Sequence, residues 1–242
     1  MNIFAIPYAG GNCYCYRDLA KAISLGCAWE TLELPGRGKR PKEPLLESID
    51  TMASDVVKQI NSRGCEVFRI FGHSMGGLVA HRAVQIIEQQ HQNHLSIDHL
   101  FVSGCRAPGL KRLKAVRSPL SRAELISAID SLGGLPREIK EDADLMGFFE
   151  PVLRADFSAV DRYRPSQVER IHTPITVFSG ENDSEVNAAE VEAWRETGNQ
   201  KARFFSFPGN HFFFLDHISH IANVISGIQG GGESSGTYGA ND

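Results

Sequence analysis

The sequence predicts an α/β domain with a mostly parallel central sheet flanked by helices. Two observations carry this. Six short apolar runs, rich in β-branched residues, recur along the chain at the length of buried strands, and stretches with helical spacing separate them. Strand alternating with helix is the pattern of a parallel sheet covered on both faces. The length, 242 residues, suits one large domain better than two ordinary ones.

Taken in order, Asn2 to Pro7 forms the first strand and runs into the turn sequence Tyr8-Ala9-Gly10-Gly11-Asn12. Trp29 to Leu34 is the second strand, and Ile49 to Asn61 has helical spacing. The third strand, Glu66 to Phe71, leads through Gly72-His73-Ser74-Met75-Gly76 into an apolar helix over Gly77 to Gln89. The fourth is His99 to Gly104. About 70 residues then pass before the fifth strand at Pro174 to Ser179, whereas a crossover with its helix needs only about a dozen. The surplus is not polar filler. Ser121 to Leu132 and Leu145 to Phe157 repeat apolar residues at helical spacing, joined by the breaker run Gly133-Gly134-Leu135-Pro136. We read it as an inserted helical lid, about 110–165, with a flexible joint, in preference to one crossover with a long loop. A helix over Glu185 to Trp194, a strand over Arg203 to Phe207 and a helix over Phe212 to Ile228 complete a domain of residues 1–228. The Gly/Ser-rich tail 229–242 has little to bury and is expected to be disordered.

Composition excludes several classes. Lys and Arg total 25 against 29 Asp and Glu, a formal charge of −4, so no basic surplus exists to neutralise a nucleic-acid backbone. The apolar runs fall far short of the ~20 residues that span a bilayer, and no charged-then-apolar leader opens the chain. A soluble cytoplasmic protein is expected. The five cysteines are odd in number and scattered, which suits reduced thiols. No metal site is expected: Cys13-x-Cys15 lacks a second pair, and His91/His94 and His217/His220 sit among ordinary helix residues.

Gly72-His73-Ser74-Met75-Gly76 is informative because a strand precedes it and a helix follows. A serine on so sharp a turn has its Oγ lifted clear of the sheet, and the flanking glycines avoid clashes with the neighbouring strand and helix. Gly232-Glu233-Ser234-Ser235-Gly236 repeats the letters in the tail, without strand or helix, and is expected to be inert. A serine nucleophile needs a base held by a carboxylate. Among nine histidines, His211 directly follows the last strand and the turn Pro208-Gly209-Asn210, at the strand end where α/β sheets place their sites. His217 and His220 read as surface or packing residues, and His73 as a packing residue pointing away. Asp183, after the fifth strand, is the candidate carboxylate; Glu181 is its nearest competitor, while Asp161 and Asp216 read as solvated charges. The chain order Ser74, Asp183, His211 is that of an α/β-hydrolase. Two backbone N–H groups are candidates for an oxyanion hole: Met75, at a helix N-terminus, and Ala9, in the loop after the first strand.

These residues resemble the type II thioesterases, stand-alone α/β-hydrolases that accompany nonribosomal peptide and polyketide synthetases. More distantly they resemble medium-chain acyl-carrier thioesterases. The resemblance spans about Ile3 to Ile228. It rests on Pro7-Tyr8-Ala9-Gly10-Gly11, Leu34-Pro35-Gly36-Arg37, the Ser74 turn, Ser103-Gly104 with Ala107-Pro108, and Leu132-Gly133-Gly134. Leu153-Arg154-Ala155-Asp156-Phe157, Gly180 to Asp183 and Pro208 to Phe212 complete it. Arg37-Gly38-Lys39-Arg40 and Gly77 depart from the usual pattern and leave the acyl preference open.

The resemblance implies hydrolysis of acyl thioesters on the 4′-phosphopantetheine arm of carrier proteins, with Ser74, His211 and Asp183 as the triad. No cofactor beyond that substrate-borne arm is implied. The implied enzyme works as a monomer, with acyl or peptidyl carrier domains as partners and neither nucleic acid nor membrane. Gly133-Gly134 would serve as the lid hinge. A basic rim of Arg37, Lys39 and Arg40, or of Lys111, Arg112 and Lys114, would meet an acidic carrier. A general carboxylesterase or lipase, an acyltransferase or cyclase with the same triad, and a non-catalytic binding protein are the alternative readings.

Overall fold

The computed structural model describes residues 1–90, 95–110, 116–134, 142–165 and 169–227. Six strands, β1 (Asn2–Ile6), β2 (Ala28–Thr31), β3 (Val67–His73), β4 (Ser96–Ser103), β5 (Ile175–Gly180) and β6 (Arg203–Phe207), form one sheet in the order β2-β1-β3-β4-β5-β6. Every neighbouring pair is parallel. The chain steps from β1 to β2 on one side, then to β3 on the other, and continues in that direction. The strand order therefore reverses between β1 and β3, and a crevice opens beyond their C-terminal ends, where open α/β sheets bind ligands.

Strand alternation builds a core on each face. Phe4 and Ile6 of β1, with Phe68, Ile70, Leu100 and Val102, pack against α2 (Ile49–Asn61) and α3 (Met75–Gln89). The intervening Ile3 and Ala5, with Phe71, Phe101 and Phe178, pack against α1 (Arg17–Ala22) and α7 (Ile218–Ser226). Side chains of successive residues point to opposite faces, so a β1 buried on both sides reads as a continuous apolar run. Between β5 and β6 lies the short α6 (Ala188–Glu192), which a 3-10 turn at Ala193–Glu196 continues.

The long connection between β4 and β5 holds two helices, α4 (Arg122–Asp130) and α5 (Ala143–Arg162). Ser121 starts α4 with a reciprocal capping box to Glu124, satisfying donors that a helix N-terminus leaves open. Leu125 and Ile129 meet Met146, Leu153 and Phe157 in a small core of their own. Both helices fall within the expected insertion, and α5 runs five residues beyond the Phe157 boundary read from sequence. Leu135, Pro136, Lys111, Arg112, Lys114, His91, His94 and the tail with Ser234 lie outside the described residues.

The sequence reading missed α1, a helix of six residues with one buried side chain, Leu19. It also began the last helix too early. Phe212 to Leu215 are apolar because Phe213 and Phe214 plug the sheet from a 3-10 turn, and α7 starts only at Ile218.

Candidate active site

The site assembles at the strand-order reversal. In the β1–β3 register Ile6 lies opposite Gly72, which sets the loop after β1 beside the turn after β3. That turn is close-packed: a Cβ on Gly72 would stand 2.1 Å from the Gly76 carbonyl oxygen, and one on Gly76 2.3 Å from the Ile6 carbonyl oxygen. No side chain fits at either position. Ser74 has φ +54°, the only positive value at a non-glycine among the described residues, a conformation that costs about 1–3 kcal/mol and persists only where the surroundings enforce it. The enforcement is visible: the Ser74 N–H donates to the Ser103 carbonyl at 2.8 Å, and Gly77 N–H donates to the Ser74 carbonyl at 2.9 Å.

The loops after β5 and β6 bring the other two candidates to the serine. Gly180 pairs with Phe207, and the Asn182 N–H donates to the Gly209 carbonyl at 2.9 Å, so the two loops leave the sheet together. His211 Nε2 lies 3.0 Å from Ser74 Oγ, and His211 Nδ1 lies 2.8 Å from Asp183 Oδ2. The carboxylate can only accept, so the network puts the ring proton on Nδ1 and turns the Nε2 lone pair toward the hydroxyl. Asp183 Oδ1 accepts from the backbone N–H of Glu185 at 2.7 Å and of Val186 at 3.3 Å, which fixes the carboxylate plane. The side chains of Asp183 and His211 are 1% and 4% exposed, so water competes little for their contact.

Ala9 and Met75 border the same cavity as Ser74, on the two loops that meet at the reversal. The cavity holds about 260 Å³. Its apolar wall comes from Tyr8 and Phe212 below and from Ile129, Phe149, Leu153 and Phe157 of the insertion. A smaller recess of about 50 Å³ also reaches Ser74 and His211 and includes Cys105, Arg106 and Glu190. The arrangement presents a hydroxyl, a base and a carboxylate in hydrogen-bonded sequence beside an apolar chamber, which suits attack on a carbonyl bearing a hydrocarbon substituent.

His73 is a buried packing residue, but what it packs against is His211, at 4.9 Å between ring centroids. Burial above all, and then the neighbouring His211, hold its pKa well below the ordinary histidine value. A neutral ring therefore backs His211 without adding positive charge. Its Nδ1 meets Ser103 Oγ at 3.0 Å. All five cysteines are free. Cys105, at the edge of the recess, is pushed up to about 12 by burial, and Cys15 in the chamber wall is raised also by burial, so neither is a thiolate competing with Ser74.

Other candidates fall elsewhere. Glu181 and Asp216 are exposed. His217 Nε2 contacts the Pro208 carbonyl, and His220 packs edge-on against Phe207. Asp161 corrects the reading of a solvated charge: it is 6% exposed and accepts from the backbone N–H groups of Arg117 and Ser118 at 2.8 and 3.0 Å. The first basic rim is corrected as well. Arg37 is buried in a two-pronged pair with Asp156 at 2.6 and 2.7 Å, and Arg40 is taken up by Glu43 and Asp55. Only Lys39 of the three remains at the surface, over the Tyr14 ring. Gly134 abuts the Phe212 ring: a Cβ there would meet it at 2.1 Å, so the expected hinge is a packing contact beside His211. Among the described residues no group of three His, Cys, Asp or Glu side chains could hold a metal ion, and no helix is long and apolar enough to cross a membrane.

Two charged pairs next to the site were not recognised as such from sequence. Asp156 of α5 binds Arg37 and also accepts the Gly10 N–H at 2.8 Å, while Arg37 donates to the Gly11 carbonyl at 3.3 Å. The loop that carries Ala9 is thereby tied to the insertion. Arg117 meets Glu185 with both guanidinium arms, at 2.5 and 2.8 Å, in the chamber wall. The advance signal was confined to Arg37 and Asp156, which stand in the Leu34-Pro35-Gly36-Arg37 and Leu153-Arg154-Ala155-Asp156-Phe157 runs.

Comparison with known proteins agrees with this geometry. The thioesterase domain family matches residues 1–229. The gramicidin S biosynthesis protein GrsT of Aneurinibacillus migulanus is 32% identical over 216 residues, 89% of this chain and 84% of that protein. Thioesterase PikA5 of Streptomyces venezuelae is 29% identical, covering 93% and 80%. Among solved structures, the type II thioesterase BorB from the borrelidin biosynthetic cluster superposes with a TM-score of 0.84 at 29% identity, over 94% of this chain and 91% of that one. ClbQ from the colibactin NRPS/PKS pathway gives 0.85 at 28% identity, over 94% and 95%. With nearly its whole length matched, the chain belongs to the thioesterase domain family and is a thioester-hydrolysing enzyme of the α/β-hydrolase fold, akin to the type II thioesterases.

Proposed function

We propose that the enzyme clears acyl groups from the phosphopantetheine arm of carrier proteins in a nonribosomal peptide or polyketide assembly system, acting in the cytoplasm as a monomer. The observation that carries the reading is the hydrogen-bonded sequence Ser74, His211, Asp183 beside an apolar chamber. The relatives' association with such pathways supports the partner class.

In the proposed mechanism the Ser74 hydroxyl gives its proton to His211 Nε2 as Oγ attacks the thioester carbonyl. Asp183 holds the ring tautomer and stabilises the imidazolium that forms. The carbonyl oxygen, now negative, takes the Met75 and Ala9 N–H groups, the first reinforced by the start of α3. Collapse breaks the carbon–sulfur bond, His211 returns the proton to the departing pantetheine thiolate, and the acyl group stays on Ser74. Water then repeats the sequence and releases the free acid. A thiolate leaves readily, so positioning and oxyanion stabilisation dominate what the protein must supply.

The test is mass spectrometry of carrier domains loaded with different acyl units, before and after exposure to the enzyme. Loss of the acyl mass with appearance of linear acid supports the reading. A strong preference for oxygen esters of equal chain length, or transfer to an amine or hydroxyl, overturns it. Ser74→Ala is expected to lower kcat by about 10⁴-fold or more with residual activity from binding and oxyanion contacts, and to abolish fluorophosphonate labelling. Ser234→Ala is expected to change neither.

A further inference from the structure

We infer that Arg117 and Glu185 form a positioning pair through which the insertion holds the Asp183 carboxylate in place. The inference rests on the reading of Ser74, His211 and Asp183 as the triad.

Glu185 stands two residues after Asp183, and its own N–H is the shorter of the two backbone bonds to Asp183 Oδ1, at 2.7 Å. Whatever fixes Glu185 therefore fixes the carboxylate that orients His211. What fixes it is Arg117, through two parallel bonds between side chains only 11% and 15% exposed. A planar guanidinium gripping a carboxylate at two points sets direction as well as distance, which a lysine would not.

Arg117 is itself anchored from below. Its backbone N–H and that of Ser118 both donate to Asp161 Oδ2 on α5. Arg154, also on α5, donates to the carbonyls of Ser118 and Leu120 at 2.9 and 2.7 Å. The Arg117 guanidinium lies over the Phe157 ring, 5.4 Å from its centroid. The segment 116–120 is thus a strap bound along α5 whose one long side chain reaches out to the acid loop. Arg117 and Glu185 also wall the chamber with Ser74 and His211, but each is occupied by the other. Their charge is spent on geometry, not offered to a ligand.

The test uses a short acyl-N-acetylcysteamine thioester with the full-length enzyme, comparing Arg117→Gln, Arg117→Lys, Glu185→Gln and the Arg117→Gln/Glu185→Gln double variant. Thermal unfolding is measured alongside. Each Gln variant is expected to lower kcat ten- to hundredfold with KM within twofold, and to slow fluorophosphonate labelling of Ser74 in the same proportion. The double variant is expected to lose no more than the worse single one, because the two residues act as a unit. Arg117→Lys, which keeps charge but not the two-pronged grip, is expected to fall between wild type and Arg117→Gln. Losses that multiply in the double variant, a change confined to KM, or wild-type kcat in Glu185→Gln overturns the inference. If Arg117→Gln fails to fold, the nearly isosteric Glu185→Gln and Arg117→Lys carry the same test. Persistent labelling of Ser74→Ala would instead overturn the triad reading, so the two failures are separable.

Discussion

Asp156→Ala is the most demanding test of how the site is held. Asp156 is fully buried and the Arg37 side chain is 4% exposed, so removing the carboxylate strands a guanidinium away from water. Breaking a buried pair from one side costs about 3–5 kcal/mol. The Gly10 N–H loses its acceptor in the same step, which adds about 1–3 kcal/mol if the group stays dry. Both losses stem from one carboxylate and partly overlap, so we expect about 4–6 kcal/mol in all. At about 2–4 °C per kcal/mol for a domain of this size, Tm should fall by about 10–20 °C. Catalysis should fall too. Removing one oxyanion donor outright costs about 10²–10³ in kcat, and a loosened Ala9–Gly10 loop should lose a tenfold to hundredfold part of that. The assays are thermal unfolding and turnover of a short acyl thioester well below the variant's Tm. A companion, Arg37→Met with Asp156→Leu, separates the two effects. Replacing a buried ion pair by apolar side chains is often neutral or stabilising, so most of the Tm loss should be recovered while kcat stays low, because the Gly10 N–H is still unheld. A Tm drop under about 3 °C in Asp156→Ala, or recovery of kcat in the double variant, would refute the reasoning.

Gly72→Ala should abolish fluorophosphonate labelling of Ser74, since its Cβ would stand 2.1 Å from the Gly76 carbonyl oxygen and the serine turn cannot close; a variant labelled at the wild-type rate contradicts this. His81 is fully buried against Trp194, and burial pushes its pKa down to about 3. The unfolded chain therefore binds a proton that the folded one refuses: the contribution to stability is complete above pH ~6.5 and lost as pH falls toward ~3, about 2 kcal/mol of it by pH 5. His81→Leu should shrink the difference in Tm between pH 7.5 and pH 5 by about 4–8 °C, with His73 and His99 still supplying the remainder; an unchanged difference refutes it. Hydrogen exchange should show the C-terminal half of α5 protected and α4 exchanging faster, with acyl ligands slowing α4; equal protection of both, unaltered by ligand, counts against a moving lid.

What could be read from sequence was what neighbouring letters encode. Gly72-His73-Ser74-Met75-Gly76 is a local packing problem with few solutions, and a strand before it and a helix after it sufficed to place Ser74. Asp183 and His211 were legible because parallel strands all end on one edge of the sheet, so residues just past β5 and β6 must converge there. Arg37 and Asp156 were quoted as motif letters, yet 119 positions separate them and neither letter says which partner it meets. An arginine in a charged run reads as solvent-facing until folding supplies its carboxylate. Asp161 was misread for the same reason. The start of α7 failed on a different ground: Phe212 to Leu215 continue the helical apolar spacing, but Phe213 and Phe214 are drawn into the sheet core as a tighter turn.

The buried charges also decide which part of the insertion can move. Asp156 fastens α5 to the loop after β1, and Asp161, through the strap at 116–120, fastens it toward the loop after β5. Those loops flank Ser74 on either side. Swinging α5 away would break the Arg37 pair, the Gly10 bond and the strap together, and the first alone costs about 3–5 kcal/mol. α4 is held more lightly: its Arg122 pairs with Glu150 of α5 through a half-exposed guanidinium, and its buried side chains, Leu125 and Ile129, make apolar contacts. Apolar contacts of this kind lose about 25 cal/mol per Å² uncovered and can re-form against an acyl chain, whereas a stranded guanidinium finds no substitute in a hydrocarbon. Opening of the insertion is therefore expected at α4, which contributes Ile129 to the chamber wall, while α5 is expected to stay with the loops that carry the candidate residues. On that expectation Leu153 and Phe157 form the constant wall of the chamber, and the side lined by Ile129 is the one that adjusts to different acyl groups.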